Sequence, residues 1–326
     1  MKNKTISNWL FFCAFMVFAM AVIGAVTRLT ESGLSITEWK PISGALPPLN
    51  EAEWQHQFDL YRQSPEFAAK HFWMDLHDFK KIFFWEWLHR LWGRLIGLVY
   101  AVPLVYFMIR RQVPKGWGWK FAALLGLGGL QGFIGWFMVQ SGLVDRPSVS
   151  HFRLAIHLGM ALLLFAVMLW MGLRMRDGET PRQKASSGLW AGWGVLSLVS
   201  VTIIWGAFVA GLHAGLIYNE FPLMGGGLVP PDFGNPLTSP AGVQFTHRWL
   251  AVITLLAVLA YAYSTRHRNR IAPYLAAMAV AQVGLGLATL LTQVDLHLAA
   301  THQGGAMVLL ALLILSQHEL LYRKAG

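Results

Sequence analysis

The amino-acid sequence predicts an all-α, polytopic membrane protein, with eight transmembrane helices forming two four-helix bundles related by a pseudo-two-fold axis. Three observations carry this prediction: a charge-poor apolar composition, eight apolar runs of spanning length, and a set of polar residues that recurs in the two halves of the chain. Of the 326 residues, 55% are hydrophobic and 13% charged, against roughly a quarter charged in an ordinary soluble domain. Lipid is the solvent that fits. The formal charge of +10 would point to nucleic acid only as a basic patch on a folded domain. Here it lies in short connections between apolar runs, so no nucleic-acid partner is expected. The single cysteine, Cys13, excludes an internal disulfide and any CxxC motif, and within the first apolar run it reads as a small core residue.

A membrane-crossing helix needs about 20 mostly apolar residues. Eight runs qualify, at approximately 9–27, 82–109, 120–141, 151–173, 188–210, 243–264, 271–291 and 297–321. The first resembles a cleaved signal with Ala19-Met20-Ala21 as a poor cleavage site, but it continues to Thr27 and is read as a retained helix. Orientation follows from Lys and Arg in short loops. One side carries Lys2 and Lys4; Arg110, Arg111, Lys115 and Lys120; Arg174, Arg176, Arg182 and Lys184; Arg266, Arg268 and Arg270; and Arg323 and Lys324. The later loops of the other side carry only Arg146, and the long first loop, 28–81, counts for less. Both termini are therefore placed in the cytoplasm.

The halves divide at 1–180 and 181–326. His89-Arg90 in the second span corresponds to His247-Arg248 in the sixth. Gln131 and Gly135 in the third correspond to Gln282 and Gly286 in the seventh, and His157 and His302 open the fourth and eighth. An even number of helices per repeat keeps both halves in the same orientation, with the axis along the membrane normal. In the first outer loop Asn50 and Glu53 form a capping-box pattern, and Trp54, Phe58 and Tyr61 share one face of the short amphipathic helix that follows, expected on the outer surface. The loop 211–242, rich in Gly and Pro, is expected to be irregular. Trp9, Trp85, Trp117, Trp190 and Tyr322 read as interfacial anchors.

Ionisable side chains inside a span are costly and usually face a bundle interior or a functional site. His89, His157, His247 and His302 lie at a similar depth, roughly 7–12 Å from the outer ends of their spans at 1.5 Å per residue. In an up-down-up-down bundle, the second and fourth helices are diagonal, as are the sixth and eighth. Two imidazoles facing each other across a bundle hold haem iron from both axial sides. Zinc would call for Cys or carboxylate partners at close spacing. Gly93, Gly97, Gly128, Gly132 and Gly135 either pack helices closely or make room for a porphyrin face. Arg90, Arg153 and Arg248 either pair with propionates or snorkel to the interface. Glu86, one turn before His89, has Gln244 as its counterpart in the other half. It is a candidate acid/base or proton relay, the alternative being an interfacial carboxylate paired with Arg90. The other histidines, His56, His71, His77, His151, His213, His267, His297 and His318, lie in loops or at helix ends and receive no role.

The stretches Gly24 to Ser35 (GAVTRLTESGLS), Glu38 to Leu49 (EWKPISGALPPL) and Glu86 to Arg94 (EWLHRLWGR) closely resemble the haem A synthase family. Arg153 to Gly159 (RLAIHLG), Thr246 to Trp249 (THRW) and Thr301 to Gly304 (THQG) match its other histidine segments. The resemblance implies an oxidoreductase of a bacterial inner membrane that converts the C8 methyl group of haem O to a formyl group by successive hydroxylations, giving haem A for terminal oxidases. It implies that His247 and His302 ligate a resident haem b, and that His89 and His157 with Glu86 form the substrate-haem site. A haem O synthase, an electron donor and a further copy of the chain are its candidate partners. Some members carry a cysteine pair in the first outer loop; this chain has none there and resembles the cysteine-free proteobacterial and mitochondrial branch. Two other readings share the histidines: a di-haem electron carrier, which does not need Glu86, and a haem transporter or chaperone, which axial ligation disfavours.

Overall fold

The computed structural model describes residues 3–40, 43–143, 147–178, 183 and 186–322. Lys2, Arg146, Arg182, Lys184, Arg323 and Lys324, used above for orientation, lie outside the described residues, as do Pro41 and Ile42. Among the described residues there are α-helices and short helical turns but no strand: α1 (Lys4–Leu29), α2 (Glu51–Tyr61), α3 (Leu76–Ile109), α4 (Gly118–Leu143), α5 (His151–Asp177), α6 (Ser187–Gly211), α7 (Pro240–Thr265), α8 (Ala272–Leu291) and α9 (Leu296–Tyr322). All but α2 are long and apolar enough to cross a membrane, and each covers one of the eight expected runs, α8 starting one residue inside its own. The protein is an integral membrane protein.

Most helices extend past their apolar windows because polar caps stop them in the interface rather than in lipid. Asp75 accepts from the Asp78 amide at 2.9 Å and Ser186 from the Leu189 amide at 3.3 Å, satisfying first-turn donors. Pro240 begins α7, where its missing N–H costs nothing. The largest difference is α3, which begins at Leu76 rather than near 82. His89 therefore lies deeper from its helix start than the other three histidines, since the first turns of α3 stand outside the apolar run.

The chain forms two compact units, residues 19–161, and residues 162–326 together with 1–18. In the second of these, α6 packs on α7 and α9, and α8 packs on the same two, so α7 and α9 are diagonal as expected. Val199, Val258, Leu275 and Leu313 fill the space between. Towards the ends of α7 and α9, Tyr261 and Ser316 share a hydrogen bond of 2.7 Å, and Asn269 and Gln317 donate to them at 2.8 Å. Such bonds between membrane helices contribute about 0.6–1.7 kcal/mol each. In α1, Cys13 and Trp9 are both buried, so Trp9 is a packing residue and not a lipid-facing anchor.

In residues 19–161, α3 packs on α4, with the Tyr100 hydroxyl donating to the Phe121 carbonyl at 3.0 Å. The Asn50 cap forms, the Glu53 amide donating to Asn50 Oδ1 at 2.9 Å, but the returning half of the box is shifted by one residue: Glu53 Oε2 accepts from the Leu49 amide at 2.8 Å. The stripe Trp54, Phe58 and Tyr61 packs on Phe79, Ile82 and Phe83. The projecting turns of α3 thus supply the apolar partner of α2. The segment between α6 and α7 is largely irregular, with a short turn at Ala214–Leu216 and a tight bend in which Gly225 and Gly226 take φ of +66° and +86°.

Candidate functional site

Each of the four intramembrane histidines meets a glycine on a neighbouring helix. A Cβ added at Gly24 of α1 would lie 3.1 Å from His89 Cε1, and one at Gly135 of α4 would lie 2.9 Å from His157 Cε1. In the other unit, a Cβ at Gly206 of α6 would lie 3.3 Å from His247 Cε1, and one at Gly286 of α8 would lie 2.9 Å from His302 Cε1. The glycines are therefore seats for imidazole corners, and an alanine at 135 or 286 would force the ring to move. Gly135 and Gly286 were visible in the sequence as part of the repeat; Gly24 and Gly206 were not. Gly97, Gly128 and Gly132 have open space where a Cβ would be, so they are not close-packing contacts.

Glutamines fix the backbone at the same points. Gln131 Nε2 donates to the His157 carbonyl at 3.1 Å, and Gln282 Nε2 donates to the His302 carbonyl at 2.8 Å. Gln282 also reaches His302 Nδ1, at 3.1 Å. The Nδ1 atoms of His89 and His157 are buried without a protein partner, as is the indole N–H of Trp205 beside Gly206. His89 lies within Coulombic range of His157, and His247 within range of His302. Each unit thus holds a pair of half-buried imidazoles, seated by glycines, with buried polar atoms that the protein leaves unpaired. That donor set fits a haem gripped from two sides.

Two of the arginines bind loops and the third binds a neighbouring helix. Arg90 donates to the carbonyls of Ile36 at 2.9 Å and Glu38 at 3.3 Å. Arg248 donates to Tyr218 at 2.6 Å, Glu220 at 2.8 Å and Leu223 at 3.2 Å. Arg153 donates to the Phe137 carbonyl at 2.7 Å and lies over its ring at 3.8 Å. The residue three before the α3 or α7 histidine also grips a loop, with opposite polarity in the two units. Glu86, 3% exposed, accepts from Ser35 Oγ at 2.8 Å and the Ile36 amide at 2.7 Å, and from Arg90 at 2.7 Å. Gln244 instead donates to the Tyr218 carbonyl at 2.9 Å. The Glu86–Arg90 pair read from the sequence is present, and the carboxylate has loop partners that the sequence did not reveal.

Two histidines set aside in the sequence are buried. His71 lies under α2 beside Tyr61 and Glu66, and His318 packs against Trp170 and Tyr322 at 5.3 and 4.9 Å. Their burial comes from tertiary packing and had no local signal, although the aromatic stripe of α2 had to cover something.

Comparison with known proteins agrees with this geometry. The family described as cytochrome oxidase assembly protein matches residues 7–314. A heme A synthase of Rhodospirillum centenum is 55% identical, covering 97% of this chain and 88% of that protein. Heme A synthases of Caulobacter vibrioides and Maricaulis maris are 46% and 47% identical, covering 95% and 94% of this chain and 94% of each relative. With two seated histidine pairs in eight spanning helices and similarity over nearly its whole length, the chain belongs to the haem A synthase family.

Proposed function

We propose that the protein oxidises haem O to haem A, converting the C8 methyl group to a formyl group by successive hydroxylations, and that its two histidine pairs divide the work. The observation that carries this reading is a break of charge in a repeated frame: a buried carboxylate, Glu86, beside one pair and a neutral amide, Gln244, beside the other. His89 and His157 hold the substrate haem; His247 and His302 hold a resident haem b. The division corresponds to residues 1–180 and 181–326. When bound, the resident haem supplies one-electron chemistry.

The protein's own residues bind, orient and exclude water. The glycine seats fix the imidazoles, and the guanidinium groups of Arg90, Arg153 and Arg248, with five N–H donors each, retain donors for propionates beyond those spent on carbonyls. The aromatic packing of α2 on α3 covers the outer side. Glu86 accepts or returns a proton beside the substrate, with Ser35 Oγ and the Ile36 amide keeping its carboxylate oriented. A haem O synthase and an electron donor are the partners this chemistry requires. The distribution of basic residues supports a place in the bacterial inner membrane with cytoplasmic termini.

The test is extraction and chromatographic identification of haems from membranes in which the protein is co-produced with a haem O source. Haem A that depends on Glu86 and the four histidines is the expected result. Persistence of haem O unchanged, with haem still on the purified protein, would favour a di-haem electron carrier.

A further inference from the structure

A second cluster of buried titratable side chains lies in residues 19–161, and the chemistry above leaves it unused. Glu66, Tyr61 and His71 are 3%, 0% and 7% exposed. The Tyr61 hydroxyl lies 3.1 Å from Glu66 Oε2 and 2.5 Å from His71 Nδ1. Beyond it, His71 Nε2 is 3.6 Å from Glu31 Oε2, and Lys70 donates to the other oxygen of Glu31 at 2.5 Å. The side chains of Glu31 and Lys70 are 30% and 24% exposed, so the row runs from water to a buried carboxyl group.

The hydrogens in this row are constrained. A hydroxyl carries one hydrogen, yet Tyr61 has two neighbours, so one of them must donate to it. In one state Glu66 is a carboxylic acid donating to Tyr61, and Tyr61 donates to neutral His71. In the other, His71 is an imidazolium donating to Tyr61 and facing the Glu31 carboxylate, while Tyr61 donates to ionised Glu66. A neutral His71 with its Nε2 lone pair against Glu31 would be repelled. The two states hold the same number of protons. They interconvert when the Glu66 O–H bond breaks and a bond forms to Tyr61 Oη, as the Tyr61 hydrogen passes to His71 Nδ1.

Burial pushes the Glu66 carboxyl up to about 8, against the opposing influence of Tyr61 and Lys70 and with Glu86 and Glu31 adding to the rise. The groups that face it are Arg28 and Glu31 at the end of α1, Tyr61 of α2, Lys70 in the next turn and Glu86 of α3. The inner end of the row is therefore electrostatically coupled to Glu86. We propose that Glu66, Tyr61 and His71 form a proton relay joining water at Glu31 and Lys70 to a buried carboxyl group, Glu66, within electrostatic range of the Glu86 carboxylate. The relay rests on the reading that residues 19–161 take the substrate, where removing hydrogen from a methyl carbon leaves protons to be cleared through an aromatic cover.

Tyr61→Phe removes the hydroxyl while keeping the ring stacked 5.3 Å from Phe79. Turnover of haem O should fall by about 100-fold, the lower range of positioned proton transfer, with haem content and KM retained and a larger solvent isotope effect. Infrared difference spectra of the whole protein should show a protonated carboxylic acid titrating near pH 8 that is absent in Glu66→Gln and shifted in Tyr61→Phe. Unchanged turnover in Tyr61→Phe, loss of haem together with activity, or no such infrared band would each overturn the relay. If the wild type makes no haem A but the band is present and behaves as described, the relay stands and the substrate reading fails.

Discussion

The histidine pair of residues 19–161 and that of residues 162–326 are built from the same parts and differ in three places. Both seat imidazole corners on glycines, both pin the α5 or α9 histidine carbonyl with a glutamine, and both tie a loop to an arginine that follows a histidine. The first unit has a carboxylate where the second has an amide, an aromatic cover of α2 on α3 where the second has an irregular Gly- and Pro-rich segment, and no glutamine contact to His157 Nδ1 where Gln282 reaches that of His302. On the proposed reading, the repeated parts hold a flat ligand and the divergent parts decide what happens to it. A neutral amide beside the pair suits a resident group; a buried charge and a row of titratable side chains suit a place where protons move.

The largest expected effect is at the carboxylate. Glu86→Ala should abolish conversion of haem O while haem still binds, and it should also destabilise the unit by about 3–5 kcal/mol, because it leaves Arg90 without its buried partner. Gln244→Ala removes a neutral hydrogen bond and should cost about 1 kcal/mol, with conversion retained. Thermal unfolding followed by haem absorbance, alongside haem extraction, measures both. Equal losses in the two variants would erase the proposed contrast.

Next come the seats. Gly135→Ala and Gly286→Ala each place a Cβ 2.9 Å from an imidazole carbon, and each should weaken haem binding in its own unit by about 10–100-fold, as loss of ligand orientation does at metal sites. Haem titration of each variant shows which pair is affected. A loss from the opposite unit would contradict the assignment of seats to histidines.

The smallest expected effect is a pH dependence confined to the first unit. Glu66 is raised from 4.5 to about 8 in the folded state, so the folded form binds the proton more tightly. Its contribution to stability is complete below pH 4.5 and is lost as pH rises through about 8. Hydrogen exchange in α2 and the following turn should therefore quicken between about pH 5 and pH 8 beyond its intrinsic rise, and Glu66→Gln should remove that excess.

The eight spans and the four histidines were legible because lipid penalises polar groups so heavily that any histidine inside an apolar run needs an explanation. The repeat was legible because loop length varies while the His-Arg and Gln-x-x-x-Gly spacings do not. Gly24 and Gly206 were not, since glycine is ordinary in membrane helices and only the neighbouring ring shows what each one seats. Glu86 was legible as a partner of Arg90 by helical spacing, but its contacts to Ser35 and Ile36 join positions some fifty residues apart. His71 read as a loop residue because nothing local shows that the chain after α2 turns back beneath Tyr61.

The division of labour between the pairs is tested most directly by haem analysis of purified protein from cells that make haem B but no haem O, comparing the wild type with His157→Ala and His302→Ala. The account predicts haem B in the wild type and in His157→Ala, and its loss in His302→Ala. A full complement in His302→Ala, with loss in His157→Ala, would contradict it.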